Sequence, residues 1–215
     1  MNIVNPIPSN MKELLAHYEA NGHLTMQASL VGQRSVVYRI KDYSLRVYST
    51  RGKIDGEIEC EAISTMQNCA FVPKLYAYSS GKYVLTQWVD ALNLRQYRDT
   101  YGHIPPQLMN DILTTEIGQI RAGFQDWDVI QYENLLWTKC GDVKRNDFWL
   151  CEPLGSKQDD AEEKFNRKIQ QIYNQDWSGF EHIHNYFNRH GLTSKDMREA
   201  LDQFLSHRNG LSQIG

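Results

Sequence analysis

The chain has 215 residues, 41% of them hydrophobic and 23% charged, and a formal net charge of −3. That length is enough to bury a sizeable core, as one large domain or as two lobes sharing a cleft. The slight acidity gives no reason to expect a nucleic-acid or anionic-membrane partner, and no apolar run approaches the roughly 20 residues of a membrane span.

The first residues, Met1 to Pro6, lack the charged and apolar regions of a signal peptide. The four cysteines, Cys60, Cys69, Cys140 and Cys151, make no C-x-x-C pair and no zinc-like grouping. Reduced thiols in a cytoplasmic protein, or in an effector acting in a host cytosol, are the expectation.

Residues 10–21 read as a helix, with Asn10 and Glu13 as a capping pair, Leu14, Leu15 and Tyr18 on one face, and Gly22 as the stop. Residues 27–50 carry short β-branched and aromatic runs, Val36-Val37-Tyr38 and Leu45-Arg46-Val47-Tyr48, around a turn at Lys41-Asp42. Residues 55–67 return to helical spacing, with Ala62, Ile63 and Met66 on one side. Two strands follow, near Lys74–Tyr78 and Tyr83–Trp88, joined by a turn at Ser79-Ser80-Gly81.

Beyond residue 92 the pattern is helical, over Pro105–Arg121, Asp159–Asn174, Trp177–Asn188 and a last helix capped by Thr193 or Ser194. Two apolar runs near 134–137 and 143–150 interrupt it. The fold class expected is α+β, a small antiparallel sheet with one inserted helix followed by helices. His182, His184 and His190 read as helix-surface histidines, because residues two apart point to different helix faces. Trp127, Trp137, Trp149 and Trp177 read as core or lobe-contact aromatics.

Over roughly residues 28–150 the order of segments resembles the protein-kinase-like superfamily. Leu30-Val31-Gly32-Gln33-Arg34-Ser35 resembles the loop that folds over nucleotide phosphates, with Gly32 kept and Ser35 where another glycine is usual; alone it reads as a turn between strands. Arg46 stands where the family places its strand lysine, and the aminoglycoside-phosphotransferase branch often reads Leu-Arg at this point. Glu59 matches the helix glutamate that pairs with that cation, since Ile63 and Met66 follow on its face while Glu57 and Glu61 lie nearer solvent. Tyr83 to Asp90 resembles the hinge strand, with Thr86 as gatekeeper and the backbone of Gln87 to Val89 on the adenine edge.

The segment Gln125 to Trp137 resembles a catalytic loop, and Asp147-Phe148-Trp149 follows Asn134 at the family's interval. The resemblance implies that Asn134 and Asp147 bind Mg²⁺ through hard oxygens, and that Leu136 lines the nucleotide site. The family's base position falls on Val129, so the proton acceptor is assigned to Asp128 after a one-residue offset, with Asp126 as the alternative. Cys151-Glu152-Pro153 leaves no room for an activation segment, as in minimal kinases of bacteria, their effectors and phages.

The resemblance thus implies a bilobal kinase-like domain, with an N-terminal lobe over 1–89 and a reduced helical lobe over 90–215. It implies ATP and Mg²⁺ as cofactors, a protein hydroxyl as acceptor, and a monomer without nucleic-acid or membrane partners. A small-molecule kinase of the aminoglycoside or choline type and a pseudokinase binding module are the rival readings.

Overall fold

Strand-like runs of β-branched and aromatic residues build a sheet in the first third of the chain, and helical periodicity takes over after it. The computed structural model describes residues 1–126, 134–176, 184–185, 188–189 and 191–211. It divides into two units, Met1–Asp90 with Lys144–Cys151, and Ala91–Val143 with Glu152–Gly215.

The first unit holds β1 (Asn2–Ile3), α1 (Ser9–Asn21), β2 (Leu30–Val31), β3 (Ser35–Ile40), β4 (Tyr43–Tyr48), α2 (Lys53–Thr65), β5 (Leu75–Ser79) and β6 (Tyr83–Gln87). Its strands form one six-stranded sheet in the order β1-β5-β6-β4-β3-β2, with antiparallel neighbours throughout. The tight β3–β4 connection places Lys41 at φ 55°, and the β5–β6 turn places Gly81 at φ 67° with the Lys82 N–H donating to Ser79 O.

Side chains alternate across a strand, and here the alternation sorts the core. Leu45, Ala77, Tyr83 and Leu85 pack with Met11 and Leu15 of α1. The opposite face of β4 carries Arg46 and Tyr48, and α2 covers it.

Helix α1 starts at Ser9 with Pro8 at the N-cap and no side-chain cap; the expected Asn10–Glu13 capping pair does not form. Pro8 sets the boundary instead. Its carbonyl accepts from the N–H groups of Met11 and Lys12, so Asn10 already lies inside the first turn. Gly22 ends the helix at φ 73°, its N–H donating to Tyr18 O.

The second unit holds β7 (Ala91–Asn93), α3 (Leu94–Tyr101), α4 (Gln107–Arg121), β8 (Phe124–Asp126), β9 (Leu135–Thr138), α5 (Gln158–Tyr173) and α6 (Ser194–Leu211). The strands β10 (Val143–Arg145) and β11 (Cys151–Pro153) each run across a unit boundary, after Val143 and after Cys151. Strands β7 and β9 pair antiparallel, with Leu92 opposite Trp137 and Asn93 opposite Leu136.

Asn93 starts α3 through a reciprocal capping box with Gln96. Thr193 starts α6 in the same way, bonded to the Asp196 carboxylate and backbone. The core lies between α4, α5 and α6, where Leu113, Ile117, Phe165, Ile169, Leu201 and Phe204 are buried together.

Six α-helices stand among the described residues, and none is long and apolar enough to cross a membrane. The α+β class with an antiparallel sheet is therefore the class read from the sequence. The helix expected over Trp177–Asn188 falls largely outside the described residues.

Candidate functional site

Strand β4 lies inside the sheet between β3 and β6, so its side chains hold fixed positions on both faces. Arg46 and Tyr48 are two residues apart and share the face under α2. On α2, Gly56 and Glu59 are three apart and share the face toward them. A Cβ at Gly56 would stand well inside van der Waals contact of the Tyr48 ring, so glycine is what lets helix and strand approach here. The Tyr48 hydroxyl then donates to Glu59 Oε2 at 2.6 Å, with both side chains buried.

Arg46 meets the same glutamate oxygen, its Nη1 standing 3.7 Å from Glu59 Oε2. That Nη1 also lies 3.5 Å from Asp147 Oδ1, while Nη2 donates to Asn146 O at 2.6 Å. Three residues far apart in sequence, Arg46, Glu59 and Asp147, are thus brought together within the first unit.

The segment Lys144–Cys151 reaches this place through its own anchors. The Arg145 N–H donates to Phe71 O, and Lys144 Nζ donates to Ala70 O. The Arg145 guanidinium is buried, donates to Asp147 O, and lies 4.7 Å from the centre of the Phe148 ring. Phe148 itself is fully buried, which fixes the residue before it.

The electrostatics follow from crowding ions in a dry place. Burial raises the Glu59 carboxyl and Asp147 adds to that, while Arg46, Tyr48 and Arg145 oppose it; the balance lies at about 7. Burial alone would lower the Arg46 guanidinium, but Glu59 and Asp147 overcome it and hold it above its ordinary value. Burial, then the Glu59 charge, pushes the Tyr48 phenol well up, so it stays a donor. Arg145 is lowered by burial, partly offset by Cys151, Asp147 and Glu59.

The phosphate-loop candidates sit on a tight hairpin. Val31 pairs with Val36, and the Gly32 N–H donates to Ser35 O at 2.9 Å, leaving Gln33 and Arg34 as the turn. Arg34 is held at that tip. Its carbonyl accepts the Ser49 N–H and abuts Gly52, where a Cβ would collide with it. Its guanidinium bonds Asp55 at 3.0 Å and lies 4.6 Å from the centre of the Trp149 ring.

At the hinge candidates, the N–H groups of Gln87 and Trp88 donate to Lys74 O and Asp42 O. Val89 is the residue of the three whose N–H has no protein acceptor among the described residues. Thr86 is opposite Ser44 on β4, on the same sheet face as Arg46 opposite Val84. Asn134 precedes β9 and Leu136 lies within it, both in the second unit.

Asp128 lies outside the described residues, and Asp126 ends β8 with only its backbone described. Sequence reasoning did not single out Tyr48, Arg145 or the Asn146 carbonyl. The two-residue spacing from Arg46 could have found Tyr48; nothing in the local pattern marks the other two.

Of the remaining sequence candidates, Trp127, Trp177, His182 and His190 lie outside the described residues. Trp137 is buried, with its Nε1–H donating to Asp111 at 2.8 Å, and all four cysteines are free thiols. Among the described residues no group of three or more His, Cys, Asp and Glu gathers as a metal cage. Magnesium needs no such cage, since one or two oxygen ligands plus substrate phosphates hold it. The carboxylate of Asp147, about a quarter exposed beside Arg46, fits that requirement.

No family model matches the chain, and no curated protein sequence does. Solved structures do match. One is WbdD, crystallised with the kinase inhibitor LY294002, at 10% sequence identity and a TM-score of 0.50. The alignment covers 84% of this chain and 46% of WbdD, so the chain spans less than half the length of that structure. At that identity the likeness concerns the fold alone: the protein's α+β architecture is similar to part of the WbdD structure.

Proposed function

We propose that the protein is an ATP-dependent phosphotransferase, a minimal atypical protein kinase that passes the γ-phosphoryl group of ATP to a protein hydroxyl. The observation that carries this reading is the Arg46 guanidinium between Glu59 and Asp147, at 3.7 and 3.5 Å. Phosphoryl transfer asks little covalent chemistry of a protein. It asks for positioned positive charge on the phosphates and an oriented acceptor.

In this reading Arg46, held by Glu59, orients the α- and β-phosphates. The turn at Gly32 to Ser35 covers them, and Gln87 and Val89 offer backbone groups to the adenine; Leu136 is assigned to the nucleotide by the family resemblance alone. Asp147 and, by its sequence interval, Asn134 are the ligands assigned to Mg²⁺, which when bound neutralises phosphate charge. Asp128 is assigned to accept the proton of the substrate hydroxyl, with Asp126 as the alternative. The cytoplasm, or a host cytosol, is the compartment proposed.

The test is phosphate transfer from labelled ATP to a peptide and protein pool, comparing the wild type with Asp147→Ala. Loss of transfer in the variant is expected. Equal transfer by both would reject the assignment.

One observation favours a second reading, a pseudokinase that binds nucleotide without transferring phosphate. Arg46 already binds the Asn146 carbonyl and faces Asp147, so a cation is in place at the metal-ligand candidate. Stabilisation by Mg-ATP with no transfer to any acceptor would decide for it, since a ligand that binds only the native state raises the unfolding temperature.

A further inference from the structure

We infer that Tyr48 is the positioning residue that sets Arg46 between Glu59 and Asp147, by occupying the glutamate oxygen that Arg46 would otherwise take. The inference rests on the phosphotransferase reading for its consequence, but its geometry stands apart from it.

The Tyr48 hydroxyl and Arg46 Nη1 address one atom, Glu59 Oε2. The hydroxyl is at 2.6 Å and the guanidinium at 3.7 Å. A buried carboxylate gains most from short, charge-assisted hydrogen bonds. Here the short one comes from a neutral phenol, and arginine, the stronger donor, stands off. Its Nη2 spends its short bond on the Asn146 carbonyl instead.

The phenol is placed there by construction. Strand alternation puts Tyr48 on the face of Arg46, and Gly56 opens the helix surface so that the ring reaches past it to Glu59. A glycine inside a helix is destabilising relative to alanine; its use at this position is the close approach of the ring. A phenylalanine would fill the same volume. Only the hydroxyl explains the bond to Glu59.

The consequence is a guanidinium kept away from a closed ion pair. An arginine locked onto Glu59 through both nitrogens would have fewer donors for a phosphate. With Tyr48 holding Glu59, the guanidinium stands off that carboxylate and keeps only a long hydrogen bond, 3.5 Å, to Asp147. The charged and titratable groups around this point are Arg46, Glu59, Asp147, Arg145 and Cys60.

The test is Tyr48→Phe, read in two ways. In the nucleotide-free protein, the nitrogen-15 resonances of the Arg46 guanidinium, assigned by their loss in Arg46→Lys, are expected to shift as Arg46 moves onto Glu59. Unshifted resonances would overturn the inference, because a ring that only fills space leaves Arg46 where it was. Should Tyr48→Phe fail to fold, Glu59→Gln replaces it. The amide still accepts from Tyr48 but no longer attracts Arg46, and the same resonances must move for the inference to survive.

The second reading is the affinity for Mg-ATP, expected to weaken about tenfold in Tyr48→Phe, the size of one charge-assisted hydrogen bond. Unchanged affinity with a lowered unfolding temperature would make Tyr48 structural and overturn the inference. If the wild type binds no nucleotide, the phosphotransferase reading fails, and the Arg46 resonances still decide the role of Tyr48.

Discussion

Each unit buries a cation against a glutamate, and the two solve that problem differently. In the helical unit, Lys168 Nζ donates to both oxygens of Glu116, at 2.7 and 2.6 Å. In the sheet unit, Arg46 stands 3.7 and 3.5 Å from two carboxylates and gives its short bond to a backbone carbonyl. The first is closed. The ammonium reaches both oxygens of the carboxylate, and the pair joins α4 to α5. The second is open, with a tyrosine taking up the glutamate in place of the arginine. A buried pair that only holds a fold has reason to be short and complete, whereas one that must receive a ligand has to leave part of its charge unspent.

The largest effect that would break this contrast belongs to the closed pair. Glu116→Ala removes a carboxylate that accepts two short bonds from the largely buried Lys168 ammonium, and is expected to cost about 3 kcal/mol of unfolding free energy. Arg46→Met is expected to abolish Mg-ATP binding for a smaller loss, about 1 kcal/mol, because Glu59 keeps its hydrogen bond from Tyr48. Urea unfolding of both variants, with nucleotide titration of each, checks the order. A larger stability loss for Arg46→Met would mean that the sheet-unit cluster is structural after all.

Two glycines sharpen the contrast at the next scale. Gly56→Ala drives a methyl group into the Tyr48 ring, and although alanine favours a helix, the displaced ring is expected to leave a net loss of about 2 kcal/mol. The loss of nucleotide affinity should accompany it. Gly102, at φ 77° after α3, has nothing within 4 Å of an added Cβ. Gly102→Ala therefore meets only backbone strain, about 1 kcal/mol, with nucleotide affinity unchanged. Thermal unfolding and binding titrations separate a glycine needed for an approach from one needed for a turn.

Much of this was legible in the chain, and the exceptions are instructive. Helices α2, α4 and α5 announce themselves through apolar spacing, and Gly22 and Gly81 mark where α1 and the β5–β6 turn must bend. Glu59 could be chosen over Glu57 and Glu61 because Ile63 and Met66 lie on its face, and it is the buried one of the three. The start of α1 could not be placed by side-chain capping, since Pro8 provides a backbone acceptor and fixed φ instead.

At the candidate site, local periodicity assigns faces but not partners. That Arg46 meets Asp147 depends on a segment about a hundred residues later returning to the sheet unit, through Arg145 on Phe71 and a buried Phe148. No short-range pattern encodes that return. The likeness of Asp147-Phe148-Trp149 to a family motif pointed to it, and the Asn146 carbonyl, being backbone, left no trace in the sequence.

The proton balance of the sheet-unit cluster tests whether it is open. The Glu59 carboxyl, raised by burial and by Asp147 against the pull of Arg46, Tyr48 and Arg145, titrates at about 7 in the folded protein, against an ordinary value of 4.5. Between those values the folded state holds a proton on Glu59 that the unfolded state has lost. Stability attributable to Glu59 is then fully present below 4.5, falls as pH rises, and is exhausted above about 7. Subtracting the unfolding free energy of Glu59→Gln from that of the wild type at each pH isolates this contribution from the other carboxylates. The difference should decline across that window. A difference that rises instead would place a charged Glu59 in a completed pair with Arg46, making the sheet unit's cluster a second copy of the lysine–glutamate lock in the helices and leaving Tyr48 no oxygen to defend.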